Sequence, residues 1–443
     1  MSFEPEDLLS TLAGFETVAG KPRRFVVAFS GGIDSTALLS VLAATRDVHN
    51  KSLLAVHVDH QLHAASTEWT KRAGAIAKSL QVEFVCETVS VADDSGLGPE
   101  AAAREARYAA LAAHVTAHTW LLSAHHRDDQ AETLLLNLLR GSGPTGVAGI
   151  PALREFRGGW IARPLLKVPR HELSLYVDGA GLTPVNDPSN DDDQFDRNFL
   201  RNELMPVLRT RWPNAGSRLA RSSDYAREAA ELLAEVADSD IATLGGVASR
   251  LPVSKLRALS RARQINVIKR AVEVCMLGPI PSTALQRIIG ELLTARADAA
   301  PLVSWRRFEA RRYRDILFLL ESVSDSDYAG REFDGDSLDL GEGMGVLRLV
   351  RGGERGLSQR VIDAGLLACA REGGEEIKTM NQPHTRKLKK LLQEHGVVPW
   401  MRDRIPLLYS NGELVAVADL WLASGATEDN GYRIEWQDKP PLH

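Results

Sequence analysis

The apolar run Phe25-Val26-Val27-Ala28-Phe29 leads directly into Ser30-Gly31-Gly32-Ile33-Asp34-Ser35, and a helix-forming stretch from Thr36 to Ala44 follows at once. Few local patterns restrict a fold more. A buried strand, a tight glycine turn and a helix, in that order, make up half of a parallel βαβ unit. Adjacent glycines let backbone amides approach an anion, and the helix start adds partial positive charge. Ser30 and Ser35 supply hydroxyls for phosphate oxygens. Asp34 is the discordant member, because a carboxylate beside a phosphate repels it unless a cation lies between them. That requirement points to Mg²⁺ shared by Asp34 and a polyphosphate. The Gly-Lys-Ser/Thr of the Walker loop is absent. A plain glycine turn with a serine cap is the competing reading.

The pattern continues through the first 200 residues. Apolar, β-rich runs at Arg24–Phe29, Leu53–Asp59, Val82–Val89 and Trp120–Ala124 alternate with helical patterns at Thr36–Ala44, Thr67–Leu80, Pro99–His118 and Asp128–Arg140. The predicted fold class is α/β, a doubly wound parallel sheet with ligands at the carboxyl ends of its strands. Three motifs fall at such ends: Ser30–Ser35, Val58-Asp59-His60 and His125-His126. Residues 1–210 are therefore expected to form a nucleotide-binding domain, and 211–320 a basic, mainly helical domain. The acidic stretch 321–343 reads as a linker, and 344–443 as a small α+β domain.

A chain of 443 residues suggests about two to three domains. No run of about 18 apolar residues is present, and the acidic start, Met1 to Asp7, lacks an apolar signal core. Cys86, Cys275 and Cys369 are far apart, which predicts scattered buried thiols in a reducing cytoplasm. The net charge of −5 hides an asymmetry. Pro206 to Arg314 holds 19 basic and 10 acidic residues, a net of +9, which leaves −14 for the rest. Arg250 to Arg270 contains seven basic residues and no acidic one. A basic middle suits a polyanion such as RNA, or it is a set of solvated helix faces. The interleaved Trp305-Arg306-Arg307-Phe308 and Arg311-Arg312-Tyr313-Arg314 fit either RNA stacking or a half-buried hairpin.

Two further clusters carry chemistry. Arg104 and Arg107 are three apart on one helix face, placed to hold phosphate or to offset charge on a leaving group, if they are not surface ion pairs. His125-His126-Arg127-Asp128-Asp129, with Glu132 one turn later, is too dense in titratable groups for packing alone. Its spacing is not that of His-Glu-X-X-His zinc sites. Binding of Mg²⁺ and recognition of a substrate amine suit it better, with capping of the next helix by Asp128 as the structural alternative.

The Ser-Gly-Gly-X-Asp-Ser pattern resembles the pyrophosphate-binding loop of the adenine-nucleotide alpha-hydrolases. The order of Ser30–Ser35, Val58–His60, Ala103–Tyr108, His125–Thr133, Arg140–Gly143, Arg163–Leu166, Asp187–Asn190 and Arg197–Arg201 is similar to that of the bacterial tRNA(Ile)-lysidine synthetase family. Arg386–Lys390 and Pro399–Pro406 resemble that family's C-terminal domain, so the likeness spans nearly the whole chain. There are departures. Gln61-Leu62-His63 stands where the family usually has Gly-Leu-Arg, and Ala124 replaces a frequent glycine.

The resemblance implies a ligase that uses ATP, Mg²⁺ and free L-lysine on an isoleucine tRNA with a CAU anticodon. The wobble cytosine would be adenylated, and the lysine ε-amine would then displace AMP. On this reading Ser30, Gly31, Gly32, Ile33, Asp34, Ser35 and Arg107 bind ATP, with Asp34 also on Mg²⁺. Arg104 offsets developing charge. Asp128, or else His125, removes the amine proton, and Asp128 with Glu132 binds lysine. Arg197, Arg201, Lys387, Lys389, Lys390 and Arg402 are the tRNA contacts, and a homodimer is compatible. Three rivals remain: a tRNA thiolase, which commonly needs a close cysteine pair, a non-catalytic RNA-binding protein on the same fold, and a small-molecule amidating ligase, which leaves the basic middle unexplained.

Overall fold

In the computed structural model, residues 3–61, 65–90, 99–186, 196–296, 299, 301–322, 328–333, 336–352, 355–380 and 382–443 are described. The Asp187–Asn190 motif, Leu62 and His63 lie outside them. The chain divides into two units, Met1–Leu232 and Leu233–His443.

The first unit is built on six strands: β1 (Arg24–Ala28), β2 (Ser52–Asp59), β3 (Glu83–Thr88), β4 (Thr119–Leu122), β5 (Leu153–Phe156) and β6 (Gly159–Ala162). Their order in the sheet is β3-β2-β1-β4-β6-β5. All neighbours are parallel except β5, which runs antiparallel to β6 at the edge. The expected parallel sheet therefore carries an added antiparallel hairpin. Its two strands have four residues each, one bears Arg154 and Glu155, and the turn at Arg157 and Gly158 has positive φ. Strands so short and polar give little alternation to detect.

Alternation in the longer strands separates two cores. Phe25 and Val27 share one with Leu38, Leu42, Trp120, Leu173 and Val177, beneath the helices Ile33–Ala44 and Arg170–Gly179. Val26 and Leu121 point the other way, toward Leu111 of the helix Pro99–Ala112. A period of two in the strand thus dictates coverage on both faces. The strand order reverses at β1, which has β2 on one side and β4 on the other. In such sheets a crevice opens beyond the carboxyl ends at that point.

In the second unit, Arg250–Pro252, Ile316–Glu321, Phe308–Tyr313 and Leu302–Trp305 form a four-stranded antiparallel sheet. Its core includes Leu256, Ile268, Leu285, Trp305 and Leu317. The interleaved Arg/aromatic sequence is thus a half-buried hairpin. Arg312 is inside it, donating through one guanidinium nitrogen to the carbonyls of Leu292, Leu293 and Ala295. Residues 336–443 are richer in strands than expected, contributing to two five-stranded sheets. The acidic stretch read as a linker is partly structural: Tyr328 is fully buried, and Arg331–Glu332 pairs with Leu367–Ala368.

Trp400 joins these two parts of the second unit. It meets Phe318 and Tyr313 edge-to-face, with Arg311 over its ring at 5.2 Å. Arg402 donates to Tyr313 Oη at 2.9 Å and to the Val397 carbonyl at 2.9 Å. None of the cysteines is buried as expected: Cys86 is exposed on edge strand β3, and the others are half-buried. Among the described residues no helix is long and apolar enough to cross a membrane. Trp400→Ala should cost roughly 2–4 kcal/mol of stability and broaden the urea transition of the second unit, whereas Lys389→Ala, on the exposed face, should leave the transition unchanged.

Candidate active site

Backbone geometry at the loop explains its glycines unequally. Gly31 has φ +81°, and a Cβ there would lie 2.9 Å from Val185 Cγ2 and 3.2 Å from Ala73 Cβ. Conformation and space both require glycine. At Gly32 a Cβ would make only an ordinary contact, 3.4 Å from Ser30 Oγ. The Gly31 carbonyl accepts from Val185 N–H at 2.8 Å and from Thr36 Oγ1 at 3.1 Å, which pins the turn. Ser30 and Ser35 hydroxyls face each other at 3.1 Å. The first bond of the following helix runs from Thr36 N–H to the Gly32 carbonyl. The amides of Ile33, Asp34 and Ser35 therefore precede the intrahelical ladder and point outward, as helix starts do.

Across the crevice, β4 is followed by Ser123-Ala124-His125-His126. His126, not Asp128, caps the helix Arg127–Leu139: its Nδ1 accepts from Asp129 N–H, and its own N–H donates to Asp129 Oδ2. Its Nε2 lies 3.6 Å from Asp34 Oδ2, which brings the two loops together. Burial pushes the His126 imidazole down, but facing Asp34, Asp129 and Asp128 outweighs that and raises it. His125 differs. Burial, with Arg163, Arg197 and Arg107 nearby, overrides the pull of Asp129 and lowers it to about 3. It is a neutral ring whose Nδ1 is 2.8 Å from Ser123 Oγ.

The remaining acids of the cluster are already engaged. Asp128 Oδ2 accepts from the Arg170 backbone N–H at 2.9 Å, and Oδ1 pairs with Arg209. Glu132 is buried between two guanidiniums, Arg197 Nε at 3.1 Å and Arg201 Nε at 2.8 Å. The same arginines reach Asp129 Oδ1 at 3.2 and 3.1 Å. Burial pushes the Asp129 carboxyl up, but His126 and Arg197, with His125, bring it to about 2. Arg197 and Arg201, expected on tRNA, thus face inward on an irregular helix that widens into a π segment at Leu200–Leu204. Glu132, expected on lysine, has its ammonium position taken by these two cations.

A second cationic group has no such balance. Arg104 lies over the Tyr108 ring at 5.1 Å and Arg107 at 5.6 Å. Arg163, buried at the end of β6, donates to the Pro151 carbonyl at 2.7 Å. Among the described residues no carboxylate lies in ion-pair range of these three, and Nε of both Arg107 and Arg163 is buried without a partner. Burial lowers Arg107 and Arg163 below the ordinary guanidinium value. Burial raises the Tyr108 phenol, but the three arginines outweigh it and leave it below its usual value. Arg163 was part of a sequence motif without a role; its burial on a strand end is what sequence alone did not show.

Asp34 is the residue to test against Mg²⁺. Its Oδ1 is buried and without a hydrogen-bond partner among the described residues. No group of three or more His, Cys, Asp or Glu suited to a metal occurs among them. A carboxylate oxygen that accepts no hydrogen bond, beside a phosphate loop, fits Mg²⁺, which is commonly held by one or two carboxylates plus substrate phosphates. Lys387, Lys389 and Lys390 are exposed at the start of the helix Leu388–Glu394, whereas Arg402 is turned inward onto Tyr313.

A family model described as a PP-loop domain matches residues 9–208. A TilS substrate binding domain matches 251–318, and a TilS substrate C-terminal domain matches 366–436. The chain is 41% identical to the tRNA(Ile)-lysidine synthase of Alkalilimnicola ehrlichii, covering 100% of this chain and 99% of that one. It is 37% identical to that of Xanthomonas campestris pv. campestris (96% and 98% covered) and 38% identical to that of Shigella flexneri (94% and 96% covered).

Two outcomes follow. Glu132→Gln removes the buried charge shared by two half-buried guanidiniums and should cost about 1–3 kcal/mol in urea unfolding. For His125, the unfolded chain binds a proton below about pH 6.5 and the folded one only below about 3, so stability falls as pH drops through that window. The loss is at most about 1.4 kcal/mol per pH unit. Asp129, depressed from 3.8 to about 2, loses its contribution only as pH falls from the first value toward the second. His125→Asn should flatten the upper part of this acid limb in pH-dependent denaturation and leave the lower part.

Proposed function

The chain belongs to the tRNA(Ile)-lysidine synthase family, and we propose that it joins the ε-amine of free L-lysine to C2 of the wobble cytidine in a CAU-anticodon isoleucine tRNA. The observation that carries this reading is the meeting of the 30–35 loop with the end of β4 through His126 and Asp34, 3.6 Å apart. A phosphate-binding turn and the strand end that carries His125 then share one crevice.

The first step forms a bond between cytosine O2 and the α-phosphorus of ATP and breaks the bond to pyrophosphate. The outward amides of Ile33, Asp34 and Ser35, with the Ser30 and Ser35 hydroxyls, suit the departing pyrophosphate. Mg²⁺, when held at Asp34, would neutralise phosphate charge there. Arg104, Arg107 and Arg163, lacking carboxylates of their own, suit the charge that develops on the adenylate.

In the second step the neutral lysine amine attacks C2, the C2–O2 bond breaks so that O2 leaves with AMP, and the proton shed by the nitrogen passes to the departing AMP phosphate or to water. Of the two expected bases, His125 is a weak one. Transfer from an ammonium with a pKa of about 10.4 to the His125 ring, at about 3, costs on the order of 10 kcal/mol. His125 is suited instead to accept a hydrogen bond from an amine that arrives neutral. Asp128, with both oxygens in use, serves as a positioning residue. Lysine would reach Glu132 only by displacing Arg197 or Arg201.

Incubation of the protein with ATP, labelled lysine and tRNA should yield labelled tRNA, AMP and pyrophosphate in equal amounts. Sulfur incorporation, or tRNA binding without nucleotide turnover, would select a rival. Binding of tRNA should weaken steeply with salt. Replacing Lys387, Lys389 and Lys390 together by alanine should lower the slope of log K against log salt by about two to three, measured by filter binding, while Arg402→Ala should act mainly on stability.

A further inference from the structure

One cation at the loop has no part in the steps above. Arg170 opens the helix Arg170–Gly179, which is anchored by Leu173 and Val177 in the core that also holds Leu38 and Leu42 of the helix after the loop. Its backbone N–H is held by Asp128 Oδ2 at 2.9 Å, and Arg209 holds the other oxygen of that carboxylate. The side chain therefore starts from a fixed point. Its Nε lies 3.6 Å from Asp34 Oδ1, an ion-pair distance too long for a hydrogen bond. Both atoms are buried, and neither has a hydrogen-bond partner among the described residues.

The spacing argues against a purely structural pair. Where this domain does use arginine to neutralise a carboxylate, contact is close: Arg201 Nε meets Glu132 Oε1 at 2.8 Å. Arg170 and Asp34 face each other without closing. A buried donor and acceptor left open in this way are costly unless a third group completes them. The Arg170 side chain is 42% exposed, so its guanidinium is not sealed behind Asp34. A guanidinium at this place also answers the difficulty of a carboxylate in a phosphate loop, since it offsets the repulsion between Asp34 and a polyphosphate.

We propose that Arg170 is a phosphate-binding residue of this site, its guanidinium taking oxygens of the pyrophosphate half of ATP beside the amides of Ile33–Ser35. The inference rests on the reading of the 30–35 loop as the ATP site. The planar fork of arginine matches a phosphate with two parallel hydrogen bonds, which an ammonium cannot do. Asp128 then acts at one remove, by fixing the backbone from which Arg170 reaches.

The test is calorimetric titration of the full-length protein with inorganic pyrophosphate and with ATP, each with and without Mg²⁺, alongside thermal melting and tRNA filter binding. Arg170→Ala keeps the backbone bond to Asp128. It should weaken pyrophosphate binding by about ten- to a hundredfold with melting temperature and tRNA affinity unchanged. Arg170→Lys should recover part of the loss, because charge is retained and the fork is not. Pyrophosphate affinity unchanged in Arg170→Ala overturns the proposal. So does a loss confined to tRNA, or one that follows a lower melting temperature and is not relieved by lysine. If the unaltered protein binds neither pyrophosphate nor ATP under either condition, the ATP-site reading itself falls and Arg170 with it.

Discussion

Reversal of strand order at β1 is the constraint from which the site derives. With β2 on one side and β4 on the other, the chain ends of β1 and β4 lie next to each other with no strand connection between them. Residues 30–35 and 123–126 are brought together by that topology, not by proximity in sequence. The turn after β1 must be tight for this to work. Gly31, at φ +81° and against Val185 and Ala73, is the residue that makes it so. His126 then spans the gap while capping the helix behind it, so a single imidazole serves both the local backbone and the junction of the two loops.

Charge is distributed around this junction in two contrasting ways. Asp129 and Glu132 are matched by Arg197 and Arg201, a neutral and mutually satisfied set. Such a set fixes geometry and gives little to a ligand, because any new partner must displace an old one. Arg104, Arg107 and Arg163 are unmatched around Tyr108. Arg163 and Nε of Arg107 are buried, Arg104 is exposed, and an unmatched buried cation costs free energy until an anion arrives. The first set is suited to holding the cluster in shape and the second to meeting a negatively charged reactant.

The parts legible in the sequence were those set by short-range chemistry. The glycine loop, its flanking strand and helix, and the membership of the His125–Glu132 cluster all follow from neighbouring residues. Roles within the cluster did not, because the deciding partners come from far along the chain. Arg209 holds Asp128, and Arg197 and Arg201 hold Glu132. A carboxylate facing a crevice and one facing a buried guanidinium look identical in a sequence. The same limit hid the inward turn of Arg402 and of Arg312, whose burial depends on Tyr313 and on the end of a distant helix. The hairpin of β5 and β6 was missed for a different reason, since four-residue strands bearing Arg154 and Glu155 carry almost no periodic signal.

The aromatic contact at Trp400 has a consequence for recognition. Through it, the hairpin around Tyr313 and the strands and helices beyond residue 336 pack into one body, with Phe318 counted in the core of the later part. Packing of this kind favours one separation between the two surfaces. A body held at one spacing would lose little conformational entropy on docking a partner that matches it, and would fit poorly one whose span differs.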